Sequence, residues 1–178
     1  MESISDKAQW RQRAAGIMAF KYLSPSELDS LLKAASILRY SPGEAVVREG
    51  ELDAYLYGIL SGTVSVTVRD SSKSDEGKDV YMCSLGPGDA FGEAGLFMSV
   101  KRTATVSATD DTVLLRIHRS DLSAFFKSQP SGGNKLLLVV VYGLLRKLRA
   151  ANQELAYERK ADLDQDDVDA LLSDLLGQ

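Results

Sequence analysis

Two hydrophobic periods alternate along this 178-residue chain, and the places where one gives way to the other predict its elements. Ser24-Pro25-Ser26-Glu27 has a serine cap, a proline at the first helical position and a glutamate three residues after the cap. Such a box satisfies the orphan amides of a helix start. Leu28, Leu31, Leu32 and Ala35 then form a helical stripe. Upstream, Trp10, Ala14, Ile17 and Met18 share one face of a second predicted helix over Asp6 to Tyr22. From Tyr40 the period falls to two, with Ser41-Pro42-Gly43 as the turn. The predicted strands are Ala45 to Val47, Tyr55 to Leu60, Val64 to Val68, Val80 to Ser84, Ala104 to Ala108 and Val113 to His118. Ser61-Gly62 is a tight turn and Ser71 to Lys78 a polar hairpin loop. Many short strands at hairpin spacing predict a mainly β fold with flanking helices, an antiparallel jelly-roll barrel followed by a long C-terminal helix.

That helix is read in two parts. Ser120 caps a short segment through Phe126, and Gln129-Pro130-Ser131-Gly132-Gly133 breaks it. Leu137, Val141, Leu144, Leu148, Ala151 and Leu155 then recur at alternating steps of four and three, an a/d seam that fits a second copy of the chain. Leu138 and Leu145 lie off the seam and are predicted to pack on the barrel. The other reading makes the whole stripe intrachain core. The expected organisation is residues 1–22 as a helical segment, 23–133 as the barrel with its leading and trailing helices, 134–160 as the lid or dimerisation helix, and 161–178 as an acidic amphipathic tail.

Charge sharpens the last boundary. The net charge is −4, but residues 161–178 hold six aspartates and no base, which leaves +2 for the rest. Neither part has the basic stripe that grips nucleic acid, so no DNA partner is expected. One cysteine, Cys83, excludes an internal disulfide and reads as a small apolar strand residue; the lone His118 lacks companions for a metal site. No stretch resembles a signal peptide or approaches the ~18 apolar residues of a membrane span, so a cytoplasmic protein without a membrane partner is expected. An enzyme is not expected, since no nucleophile or carboxylate pair comes with a base at interpretable spacing.

Chemistry concentrates between two strands, in Gly86-Pro87-Gly88-Asp89-Ala90-Phe91-Gly92-Glu93-Ala94-Gly95-Leu96-Phe97 and, after four residues, Arg102-Thr103-Ala104-Thr105-Val106. A Walker loop needs lysine after its last glycine, where Gly92 is followed by Glu93; a dinucleotide fingerprint needs glycine where Phe91 stands. What remains is a short helical turn near Gly92 and one arginine, suited to a singly charged phosphodiester that needs no metal. Glu93 suits such a ligand only as acceptor for a hydroxyl, as on a ribose beside a cyclised phosphate.

The stretch FGEAGLFMSVKRTATV resembles the phosphate-binding cassette of the cyclic-nucleotide-binding domain family, which includes catabolite activators, kinase regulatory subunits and channel gating domains. Its glutamate-to-arginine spacing of nine equals that of the kinase subunits, and the likeness runs from about Phe20 to Tyr157. The resemblance implies that Phe91 opens the cassette, Glu93 accepts the ribose hydroxyl and Arg102 pairs with the phosphate. It further implies that Gly92, Ala94 and Ala104 present amides, that Thr103 touches the phosphate or base, and that Leu148 and Asn152 of the C-terminal helix lie at the base. Lys101 stands where the kinase subunits have proline, and Ala151 lacks the hydroxyl that catabolite activators turn to adenine. The ligand is therefore expected to be cAMP by preference, with cGMP open. The expected function is a stand-alone sensor, with neither metal nor cofactor, that signals through its C-terminal helix to a protein partner bound by the tail. The alternative is an interaction adaptor in which Glu93 and Arg102 pair with one another in an empty barrel.

Overall fold

Two antiparallel sheets face one another across an apolar layer. The computed structural model describes residues 2–4, 6–69, 79–97, 101–149 and 151–153. The first sheet has the order β1-β2-β9-β4-β7, from Glu2–Ile4, Ser36–Tyr40, Thr112–His118, Tyr55–Ser61 and Ala90–Phe91. The second runs β3-β8-β5-β6, from Ala45–Val47, Thr105–Ala108, Val64–Arg69 and Asp79–Leu85. Alternate residues turn inward, so that Leu38, Tyr40, Tyr57, Ile59, Phe91 and Leu114 of one sheet meet Val47, Val64, Val106 and Ala108 of the other. This is the jelly-roll architecture with flanking helices. Each predicted strand is present to within two residues at either end. Cys83 sits on β6 but is exposed.

Helices cover the outer face of the first sheet, and glycine admits them. A Cβ on Gly58 of β4 would sit 2.5 Å from Ile17 Cδ1, so the bare backbone is what lets the fully buried Ile17 lie on the strand. That contact also corrects the predicted Asp6 to Tyr22 helix. The chain instead forms three short turns, Ala8–Trp10, α1 (Arg11–Ala15) and Met18–Phe20, because Ile17 is extended and the Met18 N–H donates to Gly88 C=O at 2.8 Å. Met18, placed on the apolar face by periodicity, is 55% exposed. Ser36–Tyr40, which sequence periodicity leaves unassigned, is a strand paired with β9 on one side and β1 on the other.

The next helix, α2, spans Pro25–Ala34 and starts as the sequence requires: Ser24 Oγ accepts from Glu27 N–H, and Glu27 Oε2 accepts from Ser24 N–H at 2.7 Å. The same buried carboxylate receives Lys135 Nζ at 2.8 Å. After α3 (Ala94–Phe97), α4 (Arg119–Ser128) is capped by His118 rather than Ser120, the His118 Nδ1 accepting from Ser120 N–H. Residues 130–149 and 151–153 are helical, so Pro130 opens a helix instead of prolonging a break. Glycine suits position 132 of that helix because a side chain there would press on Phe125 Cζ at 2.9 Å and on Glu27 Cδ at 3.2 Å.

The chain divides into two units, Met1–Val139 and Val140–Gln178, within this helical stretch. In the first, Leu136 is fully buried while Leu138 is 71% exposed, so Leu138 does not pack on the barrel; the register imposed by Gly132 turns Leu136 inward instead. In the second, Val141, Leu144, Leu145 and Leu148 are exposed, and Ala151 and Asn152 are exposed and helical. Leu155, the tail over residues 161–178 and the Ser71 to Lys78 loop lie outside the described residues. No helix among the described residues is long and apolar enough to cross a membrane.

The hydrogen bond from Lys135, followed by that from the Ser24 backbone, holds the Glu27 carboxyl down at about 2 against an ordinary 4.5. A depressed carboxylate contributes stability that is full above its unfolded value and is lost as pH falls toward its folded one. Urea unfolding is expected to show Glu27→Gln less stable than the wild type at pH 7, with the gap shrinking below pH 4.5 and closing near pH 2. A gap independent of pH would remove the ion pair as its source.

Candidate functional site

Strand β4 and the segment after β7 build the site together. Tyr57 and Phe91 are register partners across β4 and β7, and their rings stack at 4.9 Å with 7° between planes. This fixes Phe91, 6% exposed, and therefore where the next residues emerge. Gly92 follows with φ of 89°, a left-handed conformation that side chains disfavour. A Cβ there would also lie 2.6 Å from Tyr55 O and 2.7 Å from Arg102 Nη1. The Gly95 N–H donates to Gly92 C=O at 3.2 Å, closing the turn into α3. Any side chain at Gly92 would displace the arginine.

Arg102 arrives from the far end of the cassette and is anchored by backbone: its N–H donates to Glu51 C=O and its C=O accepts from Gly50 N–H, both at 2.8 Å. Its side chain is only 9% exposed, and Nη2 donates to Tyr55 C=O at 2.7 Å while lying 3.1 Å from Asp53 Oδ1. Asp53 is itself held. Its Oδ1 accepts from Tyr55 N–H at 2.7 Å and its Oδ2 from the Tyr57 hydroxyl at 2.9 Å. Burial first, and the Asp53 charge second, push the Tyr57 hydroxyl well above its ordinary value, so it stays a donor. The guanidinium carbon lies 5.8 Å from the centroid of the Tyr57 ring. Arg102 Nε is buried with no hydrogen-bond partner among the described residues. A buried, unanswered N–H on a fixed cation is costly unless an acceptor arrives, and an anionic oxygen is the acceptor with the most to gain.

Phe91, Gly92, Glu93, Ala94, Arg102, Thr103 and Ala104 thus belong to one unit. Glu93 is half-buried, Ala94 and Thr103 are exposed, and Ala104 is half-buried. Leu148 and Asn152 lie in the second unit. Asp53, Tyr55 and Tyr57 are the residues that sequence reasoning missed. The alternation Asp53-x-Tyr55-x-Tyr57 carries the signal that these side chains share one face of a strand, but the arrival of the arginine from residue 102 is a tertiary fact. The described residues include no group of three or more metal-ligating side chains.

The family model for the cyclic nucleotide-binding domain matches residues 37–129, just over half of the chain. The chain is similar to the cyclic AMP receptor protein of Thermus thermophilus, 31% identical over 140 residues that make up 79% of this chain and 61% of that one. It is likewise similar to the CRP-like cAMP-activated global transcriptional regulator of Mycobacterium tuberculosis, 30% identical over 142 residues, covering 80% of this chain and 59% of the other. A crystal structure of the Thermus thermophilus catabolite activator protein superposes with a TM-score of 0.68 at 30% identity, covering 78% of this chain and 61% of that one. The chain therefore spans about three-fifths of the length of these relatives.

These relatives correct one expectation. The acidic tail and the absence of a basic stripe do not exclude DNA, because a relative matched over most of this chain is a transcriptional regulator. Surface charge on the part of that relative which this chain matches does not report what the remaining two-fifths of the relative's length contacts.

Removing one member of a buried ion pair leaves the other charge uncompensated, at about 3 to 5 kcal/mol. Asp53→Ala is expected to lower the unfolding free energy of the ligand-free protein by about that much. Arg102→Met combined with Asp53→Ala is expected to recover a large part of it in the same denaturant titration. A double variant no more stable than Asp53→Ala would refute the pairing as the source.

Proposed function

We propose, from the premise that the chain belongs to the cyclic nucleotide-binding domain family, that it is a cyclic-nucleotide receptor working as a regulatory, non-catalytic protein in the cytoplasm. The observation that carries this reading is Arg102, its side chain 9% exposed and its Nε without a hydrogen-bond partner among the described residues. In this reading the phosphate takes the Arg102 guanidinium together with backbone amides of Gly92, Ala94 and Ala104. Glu93 accepts the ribose 2′-hydroxyl, Thr103 lies beside the phosphate or base, and Leu148 and Asn152 approach the base. The Thermus and mycobacterial relatives, a cyclic AMP receptor protein and a cAMP-activated regulator, support cAMP over cGMP as the preferred ligand.

Output follows from unequal affinity for two conformations, since a ligand shifts an equilibrium only by that difference. We assign it to the C-terminal helix, whose exposed Val141, Leu144 and Leu148 support pairing with a second copy, and to a protein partner beyond it. The adaptor alternative draws on Arg102 being balanced by Asp53 without any ligand. That pairing differs from the anticipated one with Glu93.

Isothermal titration of the full chain separates the two. Saturable binding of cAMP, weaker binding of cGMP and a loss of at least tens-fold in affinity for cAMP in Arg102→Ala are expected, by analogy with truncated charge pairs of about 2 to 5 kcal/mol. Light scattering of the same samples is expected to give the mass of two chains. Absence of a saturable heat with both nucleotides would overturn the receptor reading in favour of the adaptor.

A further inference from the structure

The inner surface of the barrel carries a second guanidinium that the cassette does not account for. Arg116 lies on β9 as the register partner of Tyr57, two residues from the inward-facing Leu114. Its guanidinium carbon sits 4.6 Å from the centroid of the Tyr55 ring, and its Nε is buried with no hydrogen-bond partner among the described residues. The Tyr55 and Tyr57 rings are 6.2 Å apart, and Arg102 lies over the Tyr57 ring. Two cations therefore flank one pair of tyrosines, in an interior where charges are poorly screened.

Charge counting gives Arg116 its role. Arg102 is balanced by Asp53 at 3.1 Å, so this pair offers an incoming anion no net charge. The hydroxyls of Tyr40 and Tyr57 are both raised, by burial before all else, and stay neutral. Without Arg116, the Arg102–Asp53 pair would present no net charge to a monoanionic phosphodiester. With Arg116 the group carries a net charge of +1, and the ring faces of Tyr55 and Tyr57 hold both guanidiniums in place.

We propose that Arg116 is an electrostatic determinant of anion affinity, supplying the positive charge that Asp53 withdraws from Arg102. It acts on the phosphodiester through the field in the barrel and without needing contact. The inference rests on the cyclic-nucleotide reading above and deepens it.

Titration of cAMP into the full-length wild type and into Arg116→Lys, Arg116→Gln and Arg116→Met provides the test, with the thermal midpoint of each ligand-free variant measured alongside. Arg116→Met and Arg116→Gln are each expected to bind about tenfold more weakly, the equivalent of about 1.4 kcal/mol. Arg116→Lys, which keeps the charge, is expected to stay within about threefold of the wild type. That pattern follows charge and not packing, because glutamine keeps hydrogen-bonding capacity and methionine keeps the apolar stem. Unchanged affinity in the Met and Gln variants, or a loss in Lys equal to theirs, overturns the role of Arg116 while leaving the receptor standing. A wild type that binds no cAMP overturns the receptor reading itself and this inference with it.

Discussion

A buried ion pair between Arg102 and Asp53, laid against the face of Tyr57, sets the terms for the rest of this barrel. A guanidinium with 9% exposure is costly to bury without a partner, and the fold provides one in Asp53, two residues ahead of β4. That demand explains the local details around it. Gly92 must lack a side chain because Tyr55 O and Arg102 Nη1 occupy the space one would take. Tyr57 must remain protonated because its hydroxyl fixes the second oxygen of Asp53. Backbone bonds to Gly50 and Glu51 hold the arginine from behind. Buried pairs of this kind contribute little net stability compared with apolar replacements.

The scaffold positions that pair by close backbone approach. Gly58 lets Ile17 onto β4, the strand that also carries Tyr55 and Tyr57, and Gly132 lets the helix after Pro130 lie against Glu27 and Phe125. Glu27 then does three things with one carboxylate: it closes the capping box of α2, it is buried, and it receives Lys135. Residues far apart in sequence are thereby tied to one another inside the first unit.

Much of this was legible in the chain, for identifiable reasons. Short alternating runs between glycine and proline turns specify strands because period two has no other use at that length, and Ser24-Pro25-Ser26-Glu27 specifies a helix start because each residue answers one orphan group. The cassette stands out in the sequence because Phe91, Gly92, Glu93 and Arg102 fall within one short stretch between two strands. Ser36–Tyr40 escaped because the helical stripe before it runs into it without a turn signal. The Asp6 to Tyr22 helix was over-read because its apolar spacing is helical, while the Met18 N–H satisfies Gly88 instead. Leu138 was placed inward and is outward, since heptad spacing cannot say which of several leucines meets the barrel. Asp53 and Arg116 were invisible because only tertiary structure brings an acid and a second cation to the same pair of tyrosines.

The most direct test of the account is a crystal structure of the full chain grown with cAMP. A phosphate oxygen is expected within about 3 Å of the Arg102 guanidinium, including its Nε, a usual charge-assisted distance. Tyr57 should remain bonded to Asp53, and the ribose hydroxyl should lie on Glu93. A nucleotide seated elsewhere, with Arg102 Nε still unanswered beside Asp53, would contradict it.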